Sequence, residues 1–260
     1  MTQPNLRTYF GQELAFWRKK RELTQEQLAK EVNWSARSIQ SIEQGLRAPR
    51  EDLCRRLDAV LDLDGVLARA GVPARADLTP WGSYRVFEQQ AELIRVFNNH
   101  VVPGLLQTEA YAREVIAAIT PWLDLDTEVA DRLARQERLS GDQPPDVHVI
   151  IAESVLDQEI GGIEAWREQL DRLISPGPTV SVRILPVMDR AHPGLGGPFI
   201  IVDLPEGDQM AFVDHPGPGG LVDDAEYLAR FERAWEWIGT QALPADVSAE
   251  WLRAIKEDLG

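Results

Sequence analysis

The sequence lacks the features of secreted and membrane-spanning proteins. Its only cysteine, Cys54, leaves no internal disulfide to form, which is typical of a chain from a reducing compartment. No apolar run approaches the roughly 18 residues of a membrane span, and we find no basic-then-apolar leader. We therefore expect a cytoplasmic protein with no membrane attachment.

Basic residues are also scarce, with 27 Lys and Arg against 42 Asp and Glu and a net charge of −15. Across the whole chain, that balance argues against binding the phosphates of nucleic acid. The deficit is uneven, because residues 1–75 hold 13 basic and 10 acidic side chains (+3), whereas 76–260 hold 14 and 32 (−18). A nucleic-acid contact is therefore expected only in the N-terminal part. The alternative that the acidic remainder only aids solubility stays open.

Patterns for metal binding and catalysis are missing as well. The four histidines (His100, His148, His192 and His215) are far apart, and no cysteine pair accompanies them. Glu153, with Asp157 and Glu159 nearby, is a candidate acid–base group, but such groupings arise easily among 42 acidic residues. The glycine runs at 161–162, 194–197 and 217–220 lack the strand–loop–helix order of a phosphate site. We expect no enzyme, metal or cofactor.

Residues 24–45 (TQEQLAKEVNWSARSIQSIEQG) predict two short helices joined by a tight turn. Thr24 and Gln27 have the spacing of a capping box, which begins the first helix. Asn33 tolerates the left-handed backbone that a sharp turn requires, and Ser35 is the predicted N-cap of the second helix. The residues expected to face inward are Leu28, Ala29, Val32, Ile39 and Ile42. This arrangement is a helix-turn-helix.

The expected outward face of the second helix is short, polar and nearly uncharged, as a helix that enters a major groove requires. Arg37 can bond guanine N7 and O6, and Gln40 can bond adenine N6 and N7. The alternative is that both are ordinary solvated helix residues. The predicted interface comprises the base-reading residues Ala36, Arg37, Gln40 and Ser41 and the phosphate-binding residues Gln25, Ser35 and Arg47. Glu43 is expected to pair with a basic residue such as Arg18.

The same stretch resembles the DNA-binding domain of the phage-repressor family of regulators (Cro/C1, or XRE). The matching positions are Gln25, Ala29, Asn33, Ser35, Ile39 and Ile42-Glu43-Gln44-Gly45, followed by Arg47 and Pro49. Asn33 and Glu22 stand where that family commonly has glycine. The resemblance implies a small all-α domain that binds double-stranded DNA.

Hydrophobic periodicity predicts two domains. Residues 1–72 form the helix-turn-helix domain with four to five helices, and the polar, proline-containing residues 73–83 form a linker. Residues 84–260 form an α+β domain with a mixed sheet of about four or five strands. The expected strands are 147–152, 179–185, 199–204 and 210–213, and residues 93–97 fit either a strand or the end of a helix. A predicted helix at 163–174 favours a parallel crossover between the first two strands.

Residues 102–112 (VPGLLQTEAYA) resemble the signature of an actinobacterial domain that follows such helix-turn-helix modules. The other matching positions are Arg135-Gln136, Glu153, Gly161-Gly162, Gln169-Leu170, 182–186 and 197–199. Regulators with this layout resemble the WhiJ-type developmental regulators of filamentous bacteria and antitoxin-like regulators that are encoded beside a small partner protein. The resemblance implies these associations but no chemistry for the C-terminal domain.

The leading hypothesis is a sequence-specific DNA-binding transcriptional regulator. Because one recognition helix reads few base pairs, we expect a homodimer on two half-sites. Two alternatives remain: an antitoxin-like protein that mainly binds a small partner encoded next door, and a one-component sensor of a small molecule. Trp235 and Trp237, on a predicted helix, belong either to the core or to a dimer or partner surface.

Overall fold

The computed structural model describes residues 6–76, 80–187, 191–213 and 220–259. The chain divides into two compact units, Met1–Val86 and Phe87–Gly260. None of the helices in the described ranges combines the length and the hydropathy that crossing a membrane requires.

In the described residues up to Ala76, the N-terminal unit contains five helices, against the four to five predicted for residues 1–72, and the first part of α6 (Pro80–Gln90) follows. The five are α1 (Leu6–Lys20), α2 (Gln25–Val32), α3 (Ala36–Glu43), α4 (Glu51–Leu61) and α5 (Val66–Ala76). The residues expected to face inward on α2 and α3 are all buried, and they pack with Phe10 and Leu14 of α1. Cys54 lies in the same core as a free thiol.

A glycine allows α1 to cross the end of α3 closely. A Cβ atom on Gly11 would lie 2.4 Å from the backbone oxygens of both Ile42 and Glu43, inside van der Waals contact. After α3 the chain turns at Gly45, whose φ of +73° favours glycine. Gly11 therefore permits the close approach of α1 to α3, and Gly45 permits the turn that follows α3.

The segment predicted as a linker, 73–83, is helical at both of its described ends. Helix α5 continues through Pro73 to Ala76, and α6 (Pro80–Gln90) begins at a proline; residues 77–79 lie outside the described residues. Arg7 donates from Nε to the carbonyl oxygen of Ala74 at 3.1 Å, which attaches the end of α5 to α1. This contact between α1 and α5 helps to stabilise helix α5 beyond Pro73, where the proline content had predicted the start of a linker.

Within the residues that the structure describes, the C-terminal unit has a mixed sheet of six strands in the order β3-β2-β1-β4-β5-β6. The strands are β1 (Leu93–Asn98), β2 (Asp146–Ala152), β3 (Val180–Leu185), β4 (Phe199–Asp203), β5 (Gln209–Val213) and β6 (Gly220–Val222). The first three are parallel, and β4, β5 and β6 continue the sheet in antiparallel fashion. The predicted α+β layout is confirmed, with one strand more than expected.

Five further helices accompany the sheet. They are α7 (Glu109–Ile119), α8 (Leu125–Gln136), α9 (Gly162–Ile174), α10 (Ala225–Gln241) and α11 (Ala245–Asp258). Helix α9 connects the parallel strands β2 and β3, which confirms the predicted crossover. Helix α10 packs Trp235, Trp237 and Ile238 against buried residues of the sheet, so both tryptophans contribute to the core.

Buried amide side chains hold the segment that resembles the C-terminal signature. Gln107 donates to the carbonyl oxygen of Val102 at 2.7 Å. Gln169 donates to the carbonyl oxygen of Leu106 at 2.7 Å and accepts from the backbone N–H of Thr108 at 2.9 Å. An irregular loop that is buried must have its backbone groups paired, and these glutamines pair them. These glutamines of the signature are therefore explained by their role in folding the loop.

Candidate nucleic-acid interface

The turn between α2 and α3 has the geometry that the sequence predicted. Thr24 accepts from the backbone N–H of Gln27 at 3.1 Å, and the Gln27 side chain accepts from the N–H of Thr24 at 2.7 Å, forming a capping box. Asn33 is left-handed, with φ 58° and ψ 52°. Ser35 is exposed and caps α3 by accepting from the N–H of Ser38 at 3.1 Å. Short-range hydrogen bonds therefore set both the start of α3 and its direction.

Three of the four predicted base-reading residues lie on the accessible side of α3. Gln40 is exposed, and Ala36 and Arg37 are partly exposed. Gln44, just after α3, is also exposed, in agreement with the outward position that its spacing predicts. The accessible side is polar and carries a single guanidinium, which suits contact with base edges.

Ser41 corrects the prediction, because its side chain is turned inward and only 6% exposed. Its backbone carbonyl belongs to the C-terminal cap of α3, where it accepts from the N–H groups of Leu46 and Arg47 at 2.9 and 3.3 Å after the left-handed Gly45. Helical periodicity alone placed Ser41 at the edge of the outward face.

Arg47 is the second correction, since an exposed loop arginine was expected to reach a phosphate. The residue is 5% exposed, donates from Nη1 to Ser38 Oγ at 3.3 Å and lies 5.5 Å from the centre of the Trp34 ring. Burial, together with the nearby charge of Arg50, lowers the pKa of Arg47 to about 9. Its position supports the turn and the loop rather than a phosphate contact.

Gln25 joins a network that attaches α3 to both neighbouring helices. Glu43 accepts from Arg18 Nε at 2.5 Å and from Nη2 at 2.8 Å, which confirms the predicted pair. Gln25 Nε2 donates to the same carboxylate at 2.8 Å. The hydrogen bonds with Glu43 raise the pKa of Arg18 above its ordinary value. The Gln25 side chain is therefore fixed at the N-terminus of α2, where backbone N–H groups can bind an anion.

Arg50 is a basic residue near the turn that the sequence prediction missed. It is exposed, its guanidinium lies 5.7 Å from the centre of the Trp34 ring, and Nε bonds Asp52 at 3.1 Å. Sixteen positions separate Arg50 from Trp34, so no local spacing rule places them together.

Comparison with protein-family models finds two matches that divide the chain. Residues 10–71 match a helix-turn-helix domain, and residues 81–254, more than half of the chain, match a domain of unknown function, DUF5753. The chain belongs to the DUF5753 family. Searches of curated proteins and of solved structures return no match. The helix-turn-helix match supports a DNA-binding role for the N-terminal unit.

Within the DUF5753 domain, Glu153 has a structural contact. Its Oε2 atom accepts from the backbone N–H of Val187 at 2.7 Å, which ties the end of β2 to the segment after β3. In the described parts of the chain, no group of three or more His, Cys, Asp and Glu side chains is arranged to hold a metal ion.

Proposed function

We propose that this DUF5753 protein is a sequence-specific transcriptional regulator that reads the major groove of double-stranded DNA with α3. The observation that carries the proposal is the accessible polar side of α3, presented on a helix that Arg18, Gln25 and Glu43 hold in place. A rigid scaffold around a short polar helix is what direct base readout requires. The helix-turn-helix match supports a regulator rather than an enzyme.

In this proposal Arg37 and Gln40 bond base edges, and Ala36 contacts a thymine methyl group. The phosphate contacts come from the N-termini of α2 and α3, at Gln25 and Ser35, where the helix dipoles favour an anion. Ser41 and Arg47 act from behind the interface by supporting the loop after α3. We also propose that the N-terminal unit has the fold of the XRE family.

We propose further that the protein acts in the cytoplasm as a homodimer. One α3 helix of eight residues reaches only a few base pairs, so a useful affinity requires two copies on half-sites about 10 base pairs apart. The acidic composition of 76–260 bears on where DNA binds and not on the dimer: repulsion of phosphates would confine DNA to the N-terminal unit.

The test is fluorescence anisotropy of the full chain on DNA from upstream of its own gene, with a scrambled duplex as the comparison. We expect specific binding that Arg37→Ala weakens about tenfold or more, since a bidentate base contact is worth roughly 1–3 kcal/mol. Arg55→Ala, which removes an exposed arginine of α4, is the matched control and should change the affinity less than about twofold. Equal losses in both variants would show that α3 supplies only general positive charge.

The antitoxin-like alternative, in which the main task is to bind a small partner protein, is favoured by one observation. The DUF5753 domain exposes a cluster of apolar side chains at one helix–helix turn. Exposed apolar clusters of this kind mark sites of protein–protein contact.

A further inference from the structure

The turn between α7 and α8 carries three of the ten exposed large hydrophobic side chains among the described residues. Ile119 is 59% exposed, Trp122 76% and Leu123 45%, and Trp122 is the most exposed large hydrophobic side chain there. Ala117, Ala118 and Pro121 are exposed too, so six of the seven residues from 117 to 123 are apolar and exposed. We call residues 117–123 the apolar tip.

The fold does not use the apolar tip to pack its helices. Helices α7 and α8 contact each other through Ala112, Ile116 and Val129, with Leu125 and Leu133 packed alongside. Ile119, Trp122 and Leu123 lie outside this cluster. Exposed aromatic and aliphatic side chains that contribute nothing to a core are a cost to solubility unless a partner covers them.

Hydrogen bonds nevertheless hold the backbone of the apolar tip in a defined shape. Thr120 donates from its N–H to the carbonyl oxygen of Ile116 at 2.8 Å and from its hydroxyl to the same oxygen at 3.1 Å. Leu123 donates to the carbonyl oxygen of Thr120 at 3.0 Å, and Asp124 then caps α8 through the N–H of Thr127 at 2.9 Å. A partner would therefore meet a preorganised surface, which lowers the entropy cost of binding.

The charge around the apolar tip is negative. Residues 109–128 contain five acidic side chains and one basic side chain, a net charge of −4. The single arginine, Arg113, bonds Asp126 at 2.7 Å and also pairs with Glu109.

We propose that the apolar tip is a docking site for a basic segment of another protein, with Trp122 as the central anchor. Complementary charge favours a cationic partner, whereas an apolar side chain of that partner would cover Trp122. A second copy of this chain is disfavoured at this site, because contact between two apolar tips would bring together the same acidic surroundings. Phosphates of DNA are disfavoured for the same reason. This site is independent of DNA reading by α3.

The test uses a fluorescein-labelled peptide of 18 residues, built from lysine and leucine at helical spacing, and the full chain. A second peptide keeps every lysine but has serine in place of each leucine. We expect Trp122→Ser to weaken binding of the lysine–leucine peptide about tenfold, as for an interface anchor. The matched control is Tyr227→Ser, which removes an aromatic residue of α10 that is 49% exposed, and its effect should stay below about twofold. Hydrogen exchange should slow in 117–123 when the first peptide is bound.

Two results would overturn the proposal. Equal binding of the two peptides, or equal effects of the two variants, would mean that the acidic chain attracts lysines without using the apolar tip. If light scattering instead shows a dimer of the wild-type chain that Trp122→Ser separates, a second copy covers the tip. Both variants change exposed side chains, and thermal unfolding followed by circular dichroism checks that each retains the native fold.

Discussion

Glu43 at the end of α3 accepts two hydrogen bonds from Arg18 of α1, at 2.5 and 2.8 Å, and both side chains are nearly buried. Removing one partner leaves a charge without its counterion in a site of low dielectric, which costs about 3 kcal/mol or more. We expect Glu43→Ala to lower the free energy of unfolding by about this amount in urea denaturation. Glu51→Ala breaks the exposed pair with Arg55 and is the control, expected to cost about 0.5 kcal/mol or less. If the two variants lose similar amounts of unfolding free energy, Glu43 does not hold α3 against α1.

We expect Gly11→Ala to push helix α1 away from the end of helix α3. The added Cβ would lie 2.4 Å from two backbone oxygens, and overpacking of this kind costs about 1–3 kcal/mol. Gly239→Ala is the control, since it also replaces a helical glycine, and the nearest atom to its Cβ is 3.8 Å away. There we expect a gain of up to about 1 kcal/mol from helix propensity. Thermal unfolding of both variants should therefore show shifts of opposite sign, and a stabilised Gly11→Ala variant would refute the close crossing.

Glu22 adopts a left-handed backbone with φ 56°, at a position where the resembling family commonly has glycine. A side chain in this region costs about 1 kcal/mol. We expect Glu22→Gly to raise the free energy of unfolding by part of this amount, because glycine adopts the conformation without steric cost but loses more entropy on folding. Glu22→Ala removes the same carboxylate and keeps the strain. If glycine and alanine have equal effects, the gain comes from charge and not from the backbone.

The variant Arg47→Ala tests whether Arg47 supports the fold or contacts a phosphate. Because the residue is buried against Ser38 and Trp34, we expect Arg47→Ala to lower the thermal midpoint of the chain. The slope of log affinity against log salt on DNA should stay unchanged. Loss of a phosphate contact would instead reduce that slope by about one. A reduced slope with an unchanged melting temperature would restore the role predicted from the sequence.

The helix-turn-helix was predictable because its determinants are local. The Thr24–Gln27 capping box, the left-handed Asn33 and the Ser35 cap each depend on residues within about four positions. Ser41 is buried although spacing put it at the edge of the outward face of α3. Arg47 was misplaced because, after the turn at Gly45, its side chain packs against Ser38 and Trp34, and spacing along one helix carries no information about that packing.

The DUF5753 domain shows the same division between local and tertiary determinants. The β2–α9–β3 crossover followed from periodicity and length. Residues 93–97 fitted both helix and strand, and pairing with β2 on one side and β4 on the other makes them the central strand. Strand β6 has only three residues and was not predicted, since it pairs with β5 alone and has no hydrophobic pattern long enough to detect.

The central claim is that α3 chooses the DNA sequence, and selection of duplexes from a random library by the full chain tests it most directly. For the wild-type chain we predict an enriched motif of two half-sites about 10 base pairs apart. Arg37→Ala combined with Gln40→Ala should lose or alter the preferred bases while the protein stays folded and retains weak binding to unselected DNA. Enrichment of the same motif by the double variant would contradict the claim that α3 reads the bases.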